Sequence, residues 1–282
     1  MRNTECGMRN ENAAAAVAGA LRASAGFTMM EIAICLAIIG FALLAIIRVL
    51  PLGMGTQRDN REETVINQDA TVLLEAIRSA ARGADNLTNN VYAITNQWTF
   101  YNANGTVNVN GTDGFTYNTA SFSGTVNAYY SLTNGANIIG VLSSPEFTDG
   151  AGNPISDTVN VNFRSNHIVA YVRSISGLAA EKPPQDNQIM RDDTFTYRVY
   201  CVNAAMSVDT NTFNPTLQSS FAAQLAANLR ELRLTFLWPQ LPNGNLGNGR
   251  QTFRASIAGQ LAKNPNAPVL FYYRSQYFTN AP

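Results

Sequence analysis

One carboxylate, Glu31, stands near the start of the most apolar stretch of the chain. The stretch "GFTMMEIAICLAIIGFALLAII" extends from Gly26 to Ile47, and no further charge follows Glu31 until Arg48. An ionised carboxylate costs a few kcal/mol in the middle of a bilayer and less near its edge, so such groups normally have a partner. Position alone leaves two alternatives open: Glu31 pairs with a positive group, or it lies at a membrane interface.

A second set of side chains could supply oxygen ligands. Asp149, Asn153 and Asp157 are evenly spaced in "DGAGNPISD", with glycines between the first two. Oxygen atoms on a glycine-containing loop suit Ca²⁺, although the stretch does not match an EF-hand. The same residue types are common in hairpin turns. Calcium is therefore a candidate cofactor beside an ordinary turn, and we expect no other cofactor.

The sequence contains no convincing catalytic set. It has no P-loop, no HExxH, no GxSxG and no dinucleotide-binding GxGxxG. His167, the one histidine, adjoins an alternating segment and is expected at a surface or edge position. Four acids lie in one stretch that predicts a solvated loop: Glu181, Asp186, Asp192 and Asp193. We therefore expect no enzymatic activity.

Composition restricts the classes of partner. The 282 residues include 46% hydrophobic and only 13% charged residues, with 19 basic and 19 acidic side chains. A nucleic-acid-binding protein usually has an excess of basic residues, and this chain has none, so we expect no nucleic-acid binding. The cysteines Cys6, Cys35 and Cys201 form no CxxC pair and no disulfide framework.

The apolar stretch is long enough to cross a bilayer. About 20 apolar residues are needed for a helical span, and Phe27 to Ile47 supplies them. Arg2, Arg9 and Arg22 precede it, which favours a cytoplasmic start. The alternative is a buried helix of a soluble protein.

The start of this stretch resembles the N-terminal signature of type IV pilins and pseudopilins. The residues that carry the resemblance are Gly26, Phe27, Thr28, Met29, Met30, Glu31 and Gly40. The resemblance implies that a prepilin peptidase cuts between Gly26 and Phe27, with N-methylation of Phe27. It also implies that Glu31 acts in subunit assembly. The form "LLAIIRVLPLG" is most similar to the larger minor pseudopilins, while the long leader and the late Pro51 depart from many family members.

The resemblance implies a domain plan and a location. Residues 1–26 would be the leader, 27–50 the transmembrane and assembly helix, 51–85 a kink and the soluble half of that helix, and 86–282 a β-rich periplasmic domain. The protein would cross the bacterial inner membrane once, with its leader in the cytoplasm, and could enter a periplasmic or extracellular filament. Its partners would be other pilin or pseudopilin subunits, the prepilin peptidase, the inner-membrane assembly platform and membrane lipid.

Cleavage would create a partner for Glu31. The new amine at Phe27 is positively charged, and Glu31 of one subunit could pair with Phe27 of its neighbour. Two charges would then be neutralised in one low-dielectric place. Such pairing would also set the axial register between stacked helices.

The chain after the apolar stretch predicts more helix and then strands. "PLGMG" predicts a kink or break at Pro51. An apolar stripe with helical spacing follows at Ile66, Ala70, Leu73, Ile77, Ala80 and Ala84, and Gly83 is the expected stop. From about residue 90, alternating segments separated by Asn-Gly and Asp-Gly predict antiparallel hairpins. The segments "DTVNVNF" and "TFTYRVYCVNA" alternate as further strands, the second with Phe195, Tyr197, Val199 and Cys201 on one face. A later helix is predicted by the helical spacing of Leu217, Phe221, Leu225 and Leu229. The expected fold is α+β, with a long N-terminal helix on an antiparallel sheet and additional hairpins.

Three functions remain open at this point. The first is a structural subunit, a minor pilin or pseudopilin of a type IV pilus or type II secretion pseudopilus. The second is a minor pilin that acts as an adhesin or uptake receptor through its soluble domain. The third, a membrane-anchored periplasmic enzyme, lacks a catalytic set in the sequence.

Overall fold

The structure is a computed structural model that describes residues 27–79, 84–116, 132, 134–176, 195–206, 224–241, 243–274 and 277–278. Several predictions fall outside these residues. They concern the leader with Gly26, the helix stop at Gly83, and the acidic stretch with Glu181, Asp186, Asp192 and Asp193.

Helix α1 (Met29–Arg78) contains 50 residues and includes Pro51 within it. The helix therefore does not break at "PLGMG", and the other predicted form, a kink at Pro51, stays a prediction. A proline removes one backbone hydrogen bond, and the helical turns on either side keep theirs. The helix ends at Arg78, and a short 3₁₀ helix (Ala84–Asn89) lies where the soluble half of the long helix was expected to finish.

The chain divides into two compact units, residues 1–58 and 59–282. In the first unit, the helix is long and apolar enough to cross a membrane, with a mean hydropathy of 2.8 in its most apolar window. No residue of that window is buried within the chain. One N-terminal helix is therefore a candidate membrane span, as the sequence predicts.

Among the residues that the structure describes, nine strands and the helix α2 form the main elements of the second unit. They are β1 (Val91–Tyr101), β2 (Val107–Thr116), α2 (Gly135–Leu142), β3 (Phe147–Asp149), β4 (Phe163–Arg173), β5 (Thr196–Ala205), β6 (Leu229–Gln240), β7 (Leu246–Ala258), β8 (Gln260–Asn264) and β9 (Ala267–Arg274). Seven strands form one antiparallel sheet in the order β2-β1-β4-β5-β6-β7, with β3 paired to the start of β4. Strands β8 and β9 form a separate hairpin. The predicted α+β class is confirmed.

Of the three turns predicted in the first hairpin, one forms and two do not. Strands β1 and β2 are joined at Asn104-Gly105, where Gly105 has a φ of +79° that suits glycine. The predicted turns at Asn110-Gly111 and Asp113-Gly114 lie inside β2 and are wrong. Gly111 pairs with Trp98, and a Cβ there would lie 2.6 Å from the indole, so packing overrides the turn signal.

Two further segments differ from their predicted form. "DTVNVNF" is not a strand before Phe163, because the Asp157 carboxylate accepts from the Val159 N–H at 2.9 Å and Asn160 has a φ of +57°. These are turn conformations. The predicted helix that includes Leu225 and Leu229 survives only over 224–228, since Leu229 begins β6 and pairs with Ala258. Its earlier part lies outside the described residues.

The part of α1 that belongs to the second unit, residues 59–78, packs on the sheet through the predicted stripe. Ile66, Ala70, Leu73 and Ile77 are at most 1% exposed and belong to the main hydrophobic core. The predicted alternation of β5 is also confirmed: Tyr197, Val199 and Cys201 are buried on one face. No strong local signal predicts α2, because "GANIIGVL" is short and apolar enough for a strand or a helix.

Candidate functional site

The start of α1 is the first candidate site. Thr28 and Glu31 form reciprocal hydrogen bonds in its first turn. The Thr28 backbone N–H and hydroxyl both donate to Glu31 Oε2 at 2.9 Å, and the Glu31 N–H donates to Thr28 Oγ1 at 3.3 Å. This is a capping box, which satisfies donors that the first turn of a helix leaves unpaired. The T-x-x-E spacing signalled it, and sequence reasoning missed it.

The capping box holds the Glu31 carboxylate at the end of the helix where Phe27 lies. A cut between Gly26 and Phe27 would leave the Thr28 amide intact, because the new amine would belong to Phe27. Capping is therefore compatible with processing. The described residues of the chain leave Phe27 81% exposed, so it can contact another molecule.

The helix that follows is exposed on all sides within its own unit. Every described side chain from Met29 to Leu50 is exposed, including Ile38, Phe41 and Leu44. A helix that is apolar all round belongs in lipid or among other helices. The geometry of this segment therefore suits a membrane or a bundle of identical helices.

A second carboxylate, Asp69, is fully buried where α1 packs on the sheet. Its oxygens accept hydrogen bonds from the Ile175 N–H at 3.0 Å, the Ser176 N–H at 2.8 Å, the Ser176 hydroxyl and the Tyr197 hydroxyl at 2.8 Å. A buried charge is tolerated only when its lone pairs are satisfied in this way. Asp69 thus ties α1 to the end of β4 and to β5.

Asp69 was absent from the sequence predictions, although a signal existed. It follows Ile66 by three residues, which places it on the buried stripe. Burial, the charge of Asp69 and the hydrogen bond to Asp69 raise the pKa of Tyr197 well above its ordinary value. The hydrogen bonds of Asp69 give this site a structural role in joining α1 to the sheet.

The calcium candidates form turns. The Asn153 N–H donates to Asp149 Oδ1 at 2.7 Å, and Asn153 Nδ2 donates to Asp149 Oδ2 at 3.0 Å. Partial burial opposes ionisation of Asp149, but the hydrogen bonds from Asn153, together with those from the Ala151 and Gly152 backbone N–H groups, outweigh it and lower the pKa of the carboxyl. Asp157 caps its own turn at Val159. Across the described residues, no three His, Cys, Asp or Glu side chains cluster as metal ligands, and calcium stays a prediction.

His167 is exposed on β4, as expected, with its Nε2 atom 3.5 Å from the Ser165 hydroxyl. Its cross-strand partner in β1 is Gln97, which is also exposed. Among the described residues, no carboxylate hydrogen-bonds to His167, so the pair lacks there the orienting acid of a catalytic triad.

Comparison with known proteins found no family model, no curated protein and no solved structure that matches this chain.

Proposed function

We propose that this chain is a structural subunit of the pilin or pseudopilin type, anchored by the first half of α1 and assembled through it. The observation that carries the proposal is the helix start. One carboxylate, Glu31, is held one turn from Phe27, at the beginning of the apolar first half of α1, in which every described side chain is exposed. The sequence signature around Gly26 and Phe27 supports the same assignment.

The proposed assembly contact is electrostatic. After cleavage the Phe27 amine of one subunit meets the Glu31 carboxylate of its neighbour, in surroundings of low dielectric. The capping box holds Glu31 ready at the correct end of the helix. Glu31 Oε1 takes no part in the three bonds of the box and is available to that amine.

Two substitutions at Glu31 separate charge pairing from capping. Glutamine can replace glutamate in a capping box but carries no charge, whereas alanine removes both functions. We expect Glu31→Gln and Glu31→Ala each to reduce incorporation into filaments by roughly tenfold or more, on the order of 1.4 kcal/mol per contact. Incorporation would be measured by quantitative immunoblotting of sheared filaments against the membrane fraction.

Thr28→Val is the matched control, because it weakens the cap and keeps the charge. A capping loss of about 1 kcal/mol in a long helix should leave incorporation close to that of the unchanged protein. Normal incorporation of Glu31→Gln, together with failure of Glu31→Ala and Thr28→Val, would assign Glu31 to capping alone and contradict the pairing.

A further inference from the structure

Strand β7 is an outer strand of the seven-stranded sheet, and its free edge is long and regular. Its 13 residues lie at the end of the strand order, and β6 pairs with it on one side. Among the described residues, no strand pairs with its other side. The pairing with β6 keeps one register from Gly249 to Ala258, and β7 contains no proline. A row of unpaired backbone N–H and C=O groups of this kind is a template for a further strand.

Neither face of the sheet is complete at β7. Arg250 and Arg254 lie on the exposed face of the strand. On the core-facing side, Gln251 and Phe253 are only partly buried, whereas the ring of Phe236 in β6, which Phe253 contacts, is fully buried. The sheet therefore ends before its apolar side is fully covered, and an eighth strand would extend the cover.

The exposed face of β7 carries positive charge that its surroundings neutralise only weakly. The strand itself contains no acidic residue. Arg254 lies directly opposite Arg233 of β6, and like charges in that position destabilise a sheet. Glu231 approaches Arg254 only to 3.8 Å, and Glu146 approaches Arg233 only to 4.0 Å. A close pair of this kind has a distance of about 2.8 Å.

Two further arginines add to this charge. Arg198 of β5 and Arg250 of β7 both lie opposite Leu237 of β6, one on each side. Arg198 donates to the Gly244 carbonyl at 2.6 Å and lies 5.0 Å from the centre of the Tyr171 ring, so these contacts are neutral. Among the described residues, no carboxylate forms an ion pair with Arg250. Four arginines and two glutamates therefore meet on this part of the sheet, and the surface attracts negative charge.

A second copy of β7 is a poor partner for this edge. The antiparallel pairing that overlaps two copies of the strand most fully is centred on Thr252, and it sets Arg250 of one copy opposite Arg254 of the other. Like charges would then meet twice, which protects the edge against self-association. The same charges favour a strand that carries acidic side chains.

We propose that the free edge of β7 binds an extended acidic segment of a partner protein as an eighth strand. Such a segment carries two carboxylates four residues apart, opposite Arg250 and Arg254, and apolar side chains opposite Gln251 and Phe253. Its main chain pairs with the unpaired groups of β7, which is the strand-addition mode of peptide recognition. This interaction surface goes beyond the filament role and does not depend on it.

The probe is the peptide acetyl-Thr-Glu-Val-Thr-Val-Glu-Thr-amide, which presents this pattern and reads the same in both directions. It therefore fits a parallel or an antiparallel eighth strand. Titration calorimetry on the full chain in phosphatidylcholine nanodiscs should give a Kd between the high micromolar and the millimolar range. Hydrogen–deuterium exchange should show slower exchange of the outward amides of β7, because the added strand accepts their hydrogen bonds.

Charge reversal identifies the two arginines. Arg250→Glu and Arg254→Glu should each weaken binding roughly tenfold, because a carboxylate then faces a carboxylate. The double variant should instead prefer the same peptide with lysine in place of glutamate. Arg274→Glu is the matched control, since Arg274 is exposed on β9 in the separate hairpin, and it should bind like the unchanged chain. Circular dichroism would show that all variants fold.

A second peptide of the same composition, acetyl-Thr-Val-Glu-Glu-Thr-Val-Thr-amide, places its carboxylates on opposite faces and should not bind. The proposal would be overturned by no binding of the first peptide at about 10 mM, by equal affinity for both peptides, or by unchanged affinity in both arginine variants. Binding without slower exchange in β7 would also overturn it. Slower exchange that rises with chain concentration in the absence of peptide would assign the edge to a second copy instead. Filament incorporation is measured separately, so failure here leaves the proposed function standing.

Discussion

At the residue scale, Asp69 shows how one buried charge can fix the position of a helix. Asp69 is fully buried. It accepts four hydrogen bonds, and all four donors are neutral backbone N–H or hydroxyl groups. None of these four donors, all among the described residues, carries a positive charge. Net stabilisation therefore depends on all four donors being in place.

Removal of Asp69 should destabilise the second unit strongly. Asp69→Ala leaves the Tyr197 hydroxyl and two backbone N–H groups without partners, and we expect a loss of about 3–5 kcal/mol in the free energy of unfolding. Tyr197→Phe removes one bond and should cost about 2 kcal/mol. Urea unfolding of the full chain, followed by circular dichroism, measures both. A loss below about 1 kcal/mol for Asp69→Ala would contradict the role of Asp69 in holding α1 to the sheet.

Alkaline pH should weaken the same site. The pKa of Tyr197 is raised in the folded state, so the folded chain holds this proton more tightly than the unfolded chain does. Its contribution to stability is complete below the unfolded pKa of about 10 and is lost as the pH rises above it. Stability should therefore begin to fall near pH 10 and keep falling as the pH approaches the raised folded pKa, and it should fall less steeply in Tyr197→Phe.

Other groups keep part of this pH dependence in the variant. Burial raises the pKa of the Cys201 thiol to about 12, and burial is also the main cause of the raised pKa of Tyr273. Urea midpoints measured across the pH range would test the account. Equal slopes in Tyr197→Phe and the unchanged chain would show that Tyr197 does not titrate on unfolding.

At the element scale, close packing between β6 and β7 depends on glycine. Gly249 faces Trp238 across the two strands, and a Cβ there would lie within 2.7 Å of three indole atoms. We expect Gly249→Ala to lower the free energy of unfolding by about 1–3 kcal/mol, because the indole must move. Urea unfolding measures this loss.

Gly150→Ala is the matched control for that prediction. No atom of the chain lies within 4 Å of the Cβ it would add, and its φ is outside the left-handed region. Its effect should stay within about 0.5 kcal/mol. Equal losses for both variants would show that the Trp238 contact does not set the cost.

The elements also show where local sequence signals suffice. The apolar stripe of α1 and the alternation of β5 were predicted correctly, since each repeats over several turns or residue pairs. Turn dipeptides were less reliable: Asp113-Gly114 lies within β2, where the Asp113 carboxylate pairs with Arg164. That contact joins residues 51 positions apart, so no local signal could have shown it.

At the scale of the whole molecule, the α+β class and the exposed apolar helix followed from the sequence. The contact between Arg164 and the Trp98 ring did not, because it forms only through the pairing of β1 with β4 in the sheet. The hydrogen bond between Asp69 and Tyr197 could not be predicted for the same reason, since the two residues are 128 positions apart. Periodicity identifies which side of an element is buried, whereas tertiary pairing decides which polar groups meet there.

The central claim, that this chain is a processed pilin-type subunit, is tested most directly by its mature N-terminus. Mass spectrometry of the protein isolated from membranes, in a host that has a prepilin peptidase, would identify that residue. The account predicts a chain that begins at Phe27, with an N-methyl group. The same chain from a host without the peptidase should keep its leader. A retained Met1 in both hosts, or a cut after Ile47, would contradict the account.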